Sequence, residues 1–460
     1  MSFSRLALIA VVAGAATTAG TALAAPHETT LVSRAGGVFG LKGNGDSGGA
    51  SISADGRVIA FASRATNLSA ADSDAFGDIY VRDERRGVTT LVSRASGANG
   101  AKANALGGGS DSAALSANGR VVAFVSYANN LSPSDTDRRP DIYVRDLDSD
   151  TTILVSRASG PSGAKADRAS GRPAISKDGR YVAFESLAGN LGGSYAFHVY
   201  VRDLKLSTTT LVSRASGASG APADGHSLDP VISDDGRYIA FSSNATNLNP
   251  AATDFLVRAI YVRDLHTETT TLASRAAGAI GDVANRSSTP YDLSANGRQI
   301  VYSSSATNLS PADLDAEVRD VYVSDLAANT TTLVSRASGK SGAKGNARSA
   351  VPAISADGRL VAFTTAATNL SGADRDPGLD VYLRDRQADT TTLVSRASGV
   401  AGAKGNSTAW FPDLSSDGRS IAFHSFATNL HSGDTDDLTD VFVRRLDEPA
   451  AAALGTGRQR

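Results

Sequence analysis

Five stretches of this sequence carry carboxylates at a spacing that suits a hard cation. They are Asp72, Asp74 and Asp78; Asp135, Asp137 and Asp141; Asp313, Asp315 and Asp320; Asp374, Asp376 and Asp380; and Asp434, Asp436 and Asp440. Carboxylates two residues apart in a turn can converge on Ca2+, which takes roughly six to eight oxygen ligands. The stretches lack the glycine and the distal glutamate of an EF-hand loop. Calcium is therefore one expectation, and capping of turns by Asp side chains is the other. Lysines recur nearby as Lys42, Lys102, Lys165, Lys344 and Lys404, each starting a Lys-(Gly/Ala)-(Asn/Asp) run. Pairing between these ammoniums and the carboxylates would explain the charge pattern without a metal.

Two further sets of residues bear on chemistry. Gly45-Asp46-Ser47-Gly48-Gly49 matches the nucleophile motif of trypsin-like proteases. That chemistry needs a histidine base and a buried aspartate delivered by another architecture, and only His27 is near in sequence. The motif reads as a glycine-rich loop, and no catalytic residue is assigned. The other set consists of departures from an otherwise regular repeat. Trp410 is the single tryptophan, and Tyr291 and His226 stand at comparable places before other units. Asp292 and Asp413 replace the small or apolar residue found elsewhere as Ser51, Ala114, Ala174, Val231 and Ala353. Converging at one mouth, these five would form an aromatic and acidic pocket for a sugar or a peptide; the other expectation is that Trp410 packs between loops and the two aspartates hydrogen-bond locally.

The elements that must position them are short strands. The turn signature Ser-x-(Asp/Asn)-Gly-Arg occurs seven times, ending at Arg57, Arg120, Arg180, Arg237, Arg298, Arg359 and Arg419. A period near sixty residues, with four strand signals in each unit, predicts propeller blades. In one unit the strands are predicted at 351–355, 360–364, 380–384 and 391–396, with a glycine turn at Gly358 between the first two. The fourth-strand sequence also occurs before the first blade, as Thr29 to Arg34, whereas the last unit stops after its third strand. The predicted fold is all-β: a seven-bladed β-propeller of four-stranded antiparallel blades, closed by strand 29–34 completing the C-terminal blade. The long loops between second and third strands, and those between blades, are expected on one face. Tight turns occupy the other, so binding is expected on the long-loop face.

The repeats resemble those of the TolB-type WD40-like β-propellers, in runs such as SADGRVIAFAS followed by DIYVRD in the first blade. The resemblance covers nearly all of the chain after its leader. It implies the propeller fold and, through TolB itself, a periplasmic component of a cell-envelope assembly. Arg5 and the apolar stretch Leu6–Ala16, ahead of Ala22-Leu23-Ala24, predict a signal peptide over 1–24. A single propeller over 25–448 and a disordered tail over 449–460 complete the predicted organisation. The chain has no cysteine, so an exported fold must hold without disulfides. A net charge of -2 gives no footprint for nucleic acid, and no later stretch predicts stable membrane insertion. The expectation is an exported monomer, periplasmic or secreted, that acts as a non-enzymatic scaffold for a protein or glycan, with Ca2+ as its one candidate cofactor. The alternative is a propeller-type glycan hydrolase or lyase using Asp292 and Asp413 as acids.

Overall fold

The repeated turn folds through the same bonds in each blade. In the first, Ser53 Oγ donates to Asp55 Oδ1 (2.8 Å) and accepts from the amide of Val58 (3.0 Å). Gly56 supplies the left-handed residue, with φ of +68°, that a side chain would make costly. In five blades the signature arginine then reaches an aspartate at the end of the third strand, as Arg120 does Asp146 at 2.8 Å.

The computed structural model describes residues 27–446 apart from 38–39, 105–107, 195, 279 and 316–317. The predicted leader over 1–24 and tail over 449–460 lie outside them. The described residues form seven antiparallel sheets of four strands, in order from the central axis outwards. The first blade is Ser47–Ile52, Val58–Ser63, Asp78–Asp83 and Val88–Leu91. The seventh is Ala409–Leu414, Ser420–Ser425 and Asp440–Arg445, and its outermost strand is Thr29–Leu31. Thr29 pairs with Arg444, Thr30 with Val443 and Leu31 with Phe442. The ring is closed as predicted.

The closing strand is shorter than predicted, ending at Leu31, and other outermost strands end equally early, as at Leu393. The chain then leaves the sheet as a hairpin pinned by an isolated bridge, such as Arg94 with Lys102. Arg94 clamps this hairpin by donating to Gly100 O (2.8 Å). Ser96 Oγ accepts from Thr152 N and donates to Thr152 O of the next blade, at 2.9 and 3.1 Å. The hydroxyl thus occupies an edge that would otherwise invite another strand. Only the base of each hairpin stays with the long loops; its tip reaches the opposite turn of the next blade, where Gly97 N meets Asp150 O (2.7 Å). The expectation that inter-blade segments lie wholly on one face is corrected here. The buried Arg145 explains the reach, because its guanidinium donates to Ala95 O and Gly97 O of that hairpin.

The core lies between blades. One apolar cluster joins Ile59, Phe61 and Tyr80 of the first blade to Val441 and Val443 of the seventh, with Val32 beside them. The seam between the chain ends is therefore as apolar as any other. Aromatic pairs cross the second and third strands in every blade, as Phe61 and Tyr80 do at 5.9 Å between ring centres. On the tight-turn face, main-chain bonds link each blade to the next around the axis. Ala54 N donates to Ala117 O, Ala117 N to Lys177 O, Lys177 N to Asp234 O, and Ala295 N to Ala356 O. Asp234, Ala356 and Asp417 donate the remaining three bonds and complete the circle at Ala54 O.

Candidate functional site

The five acidic stretches fold so that their carboxylates come together, each set offering oxygens within 4.8 Å of one another. A lysine sits in every one. Lys42 Nζ lies 2.7 Å from Asp440 and 2.8 Å from Asp436, and Lys102, Lys165, Lys344 and Lys404 repeat this in their own blades. Blades three and four have His198 and Ala259 where the third aspartate would stand, and there the lysine gives way to Pro222 and Val283. Lysine and triad thus come and go together. A divalent ion would have to displace an ammonium already held by buried carboxylates. Burial pushes Asp78, Asp141, Asp320 and Asp380 up to about 6, partly offset by the lysine and a serine hydroxyl. Burial likewise raises Asp440, against the pull of Lys42 and Ser33. Lys42, in turn, is raised because its carboxylates outweigh the cost of burying it.

In four of these blades a tyrosine finishes the cage. Tyr80 donates to Asp72 and Tyr143 to Asp135 at 2.5 Å, Tyr382 to Asp374 at 2.8 Å, and Tyr322 to Asp313. The seventh blade has Phe442 there, and both oxygens of the buried Asp434 lack a hydrogen bond. Its carboxyl is pushed up to about 6, by burial first and by Asp440 second.

The central channel holds the other candidate site, a cavity of about 530 Å3. Its shape comes from a bulge in the innermost strand of each blade. In the third blade Gly171 pairs with Glu185 and Ala174 with Ala183, so Arg172 and Pro173 stand unpaired. Arg172 takes φ of +50°, and Ser112, Asp229, Val351 and Phe411 take +51° to +56° at the matching position. Gly49 takes +61° in the first blade. A left-handed residue here turns its side chain out of the strand's alternation and into the channel. Pro173, Pro230, Pro352 and Pro412 follow, tolerable because a bulged residue has no ladder amide to give. The fifth blade differs for a physical reason. Pro290 cannot adopt positive φ, so it stays paired with Tyr302, and the next residue, Tyr291, becomes the bulge.

Asp292 and Asp413 lie just below this ring and stitch blades together. Asp292 accepts the amides of Leu293 (2.8 Å) and, from the next blade, Ile354 (3.0 Å). Asp413 accepts Leu414 (2.9 Å) and, across the seam, Ile52 (2.8 Å). Burial pushes Asp292 up to about 7, helped by the charge of Asp413 and opposed by the Ile354 amide and Lys177. Burial likewise raises Asp413, and again Lys177 opposes it. Above them Arg172 binds Asp229 at 2.7 Å and approaches Glu185 at 3.5 Å.

Of the five residues expected to converge, Tyr291, Asp292 and Asp413 line the channel. Trp410 stands beside its mouth, edge-on to His424 with ring centres 4.5 Å apart and tilted against Phe426 at 5.0 Å. Burial lowers His424 to about 4, and its Nδ1 accepts the Gly49 amide (3.3 Å), so it serves as a packed, neutral acceptor. His226 is absent from the lining; its Nδ1 accepts the amide of Phe197 (3.2 Å) and its ring faces that phenylalanine. The protease-like Ser47 is buried against Ser63 Oγ (2.8 Å), a pairing repeated by Ser110 and Ser126, and so is structural. Sequence reasoning missed Ser112, Arg172, Asp229, Val351 and Phe411. Aligning the seven copies on their turns would have found them, because this column alone among the inward positions reads Gly49, Ser112, Arg172, Asp229, Pro290, Val351, Phe411, seven different residues.

Among the described residues no helix is long and apolar enough to cross a membrane. No protein-family model matches the chain, and no curated protein matches it in sequence. Solved structures do. An oligogalacturonate lyase in complex with manganese is 14% identical with a TM-score of 0.50, covering 92% of this chain and 97% of that one. The β-propeller domain of the Trilobed protease from Pyrococcus furiosus is 12% identical with a TM-score of 0.50, covering 89% and 98%. That domain has an open velcro topology, whereas Thr29–Leu31 closes this one. TolB from Acinetobacter baumannii is 15% identical with a TM-score of 0.40 over 76% of this chain, which spans 65% of that TolB's length. At these identities the likeness is one of fold, and the fold is a seven-bladed β-propeller.

Proposed function

We propose that this chain is an exported, non-enzymatic binding scaffold whose ligand sits in the upper part of the central channel. One observation carries the reading. Seven copies of a repeat, alike along most of each strand, hold seven different residues at the position that the bulge turns inward. Backbone strain of this kind persists where the surrounding structure enforces it, and it concentrates at binding and active sites. The cavity is of a size usual for small-ligand sites. Asp292 and Asp413 already accept two main-chain amides each, which favours a binding and bracing role over that of a glycosidase acid pair.

The reading needs no calcium, since each triad carries its own ammonium. A melt with and without a chelator should give the same midpoint; a loss of several degrees in the chelator would restore the metal. The channel itself is tested by a glycan array and a small-molecule melting screen on the wild type and on Phe411→Ala. A ligand whose effect vanishes in the variant supports the site. One that binds both proteins equally places recognition elsewhere.

A further inference from the structure

Given a ligand seated in the channel, as proposed above, we infer that it is an organic cation: a protonated amine carried on a small aliphatic or sugar frame. The lining holds four carboxylates, Asp229, Asp234, Asp292 and Asp413, against two cations, Arg172 and Lys177. Arg172 is not free to anchor an anion. It is taken by Asp229 at 2.7 Å and flanked by Glu185. Lys177 stands on the same lining as Asp234, Asp292 and Asp413, one ammonium to three carboxyl groups. An incoming anion therefore meets a surplus of carboxyl groups that offer it no counter-charge, whereas a cation is drawn to them and favours their ionised form.

The apolar part of the wall agrees. Tyr291 precedes Asp292 in the chain, and Phe411 precedes Asp413 by two residues, so each carboxylate has an aromatic neighbour on the same wall. Phe411 is 48% exposed despite its size, and Val351 continues the apolar side between them. Ring faces next to carboxylates are the chemistry by which proteins hold alkylammonium groups. Blade one offers only Gly49 at this level, with nothing within 4 Å of where a side chain would start, and so leaves room for the body of the ligand.

Calorimetry on the purified protein tests this with four probes, three of them trisaccharides of equal length. Spermidine and a glucosamine trimer carry the amine on an aliphatic and a sugar frame; an N-acetylglucosamine trimer is neutral and a galacturonate trimer anionic. At least one amine probe should bind, more weakly as salt rises, and neither control should bind comparably. Asp292→Asn and Asp413→Asn should each weaken that binding by about tenfold or more, and Phe411→Leu and Tyr291→Leu should weaken it without touching a charge. The leucine variants keep the comparison readable if an asparagine variant folds poorly. Binding of the galacturonate or acetylated trimer that is lost in Phe411→Leu would overturn the cation and leave the channel standing. Amine binding that ignores all four substitutions would overturn both, and no binding by either amine would overturn the cation.

Discussion

At the scale of single residues, the seventh blade is a natural variant of the other four triads. Phe442 removes the hydroxyl that Tyr80, Tyr143 and Tyr382 give to their aspartates, and the buried Asp434 is left with no full hydrogen bond, the Lys42 ammonium standing off at 3.9 Å. A buried polar group without a partner costs about 1–3 kcal/mol. Phe442→Tyr should therefore stabilise the protein by about 1 kcal/mol, and Tyr382→Phe should destabilise it by about as much, read from urea midpoints. Asp292 supplies a pH prediction. Its folded value is held near 7 by burial, above the ordinary 3.8, so the native state keeps a proton that the unfolded chain releases. Stability from this group is fully present below about pH 4 and is lost as pH rises through 7. The fall in urea midpoint between pH 4 and 8 should be smaller in Asp292→Asn; equal slopes in the two proteins would show that Asp292 does not titrate in this range.

At the scale of elements, the innermost strand divides its work along its length. The paired residues hold the blade, and the bulge presents one side chain to the channel. Val351 shows the conformational cost most clearly, since a β-branched residue at φ of +51° is an outlier. Val351→Gly should gain on the order of 1 kcal/mol from relief of that strain, while weakening ligand binding because the apolar wall loses a side chain. A variant that is less stable than the wild type would mean that the bulge is unstrained. The strands themselves were legible in the sequence, because a period of two and a glycine turn specify them locally. The bulge was not, because it depends on a φ angle that Ser, Arg, Asp, Val and Phe do not advertise. The triads were legible as clusters of carboxylates and their pairing with the recurring lysines was legible as the alternative to a metal, whereas the burial of each pair and the tyrosine that completes it were not, since both depend on the folded blade.

At the scale of the whole molecule, closure was legible for a simple reason: a fourth-strand sequence stood without a blade at one end, and a blade stood without a fourth strand at the other. The same three strand residues bring Leu31 into the core beside Phe442, while Ser33 Oγ donates to Asp440 (2.6 Å) and supports its triad. Deleting residues 29–34 should lower the thermal midpoint sharply and expose the edge of Asp440–Arg445, which favours association through that strand. An unchanged midpoint in a monomeric variant would refute the closure. The channel was only half legible. Tyr291, Asp292 and Asp413 were visible as departures from the repeat, whereas His226 is a similar departure that serves Phe197 instead.

The closed seam also determines which way the molecule looks. The third strand of blade seven runs toward the tight-turn face, and Thr29 begins beside its last residues, with His27 N bonded to Arg445 O (2.9 Å). Both ends of the described chain therefore depart from one side of one blade. A tether, a fusion partner or an immobilising tag joined directly at His27 or Leu446 would hang the propeller by the same point. The long-loop face, where Trp410 stands beside the channel, then lies on the side away from the support.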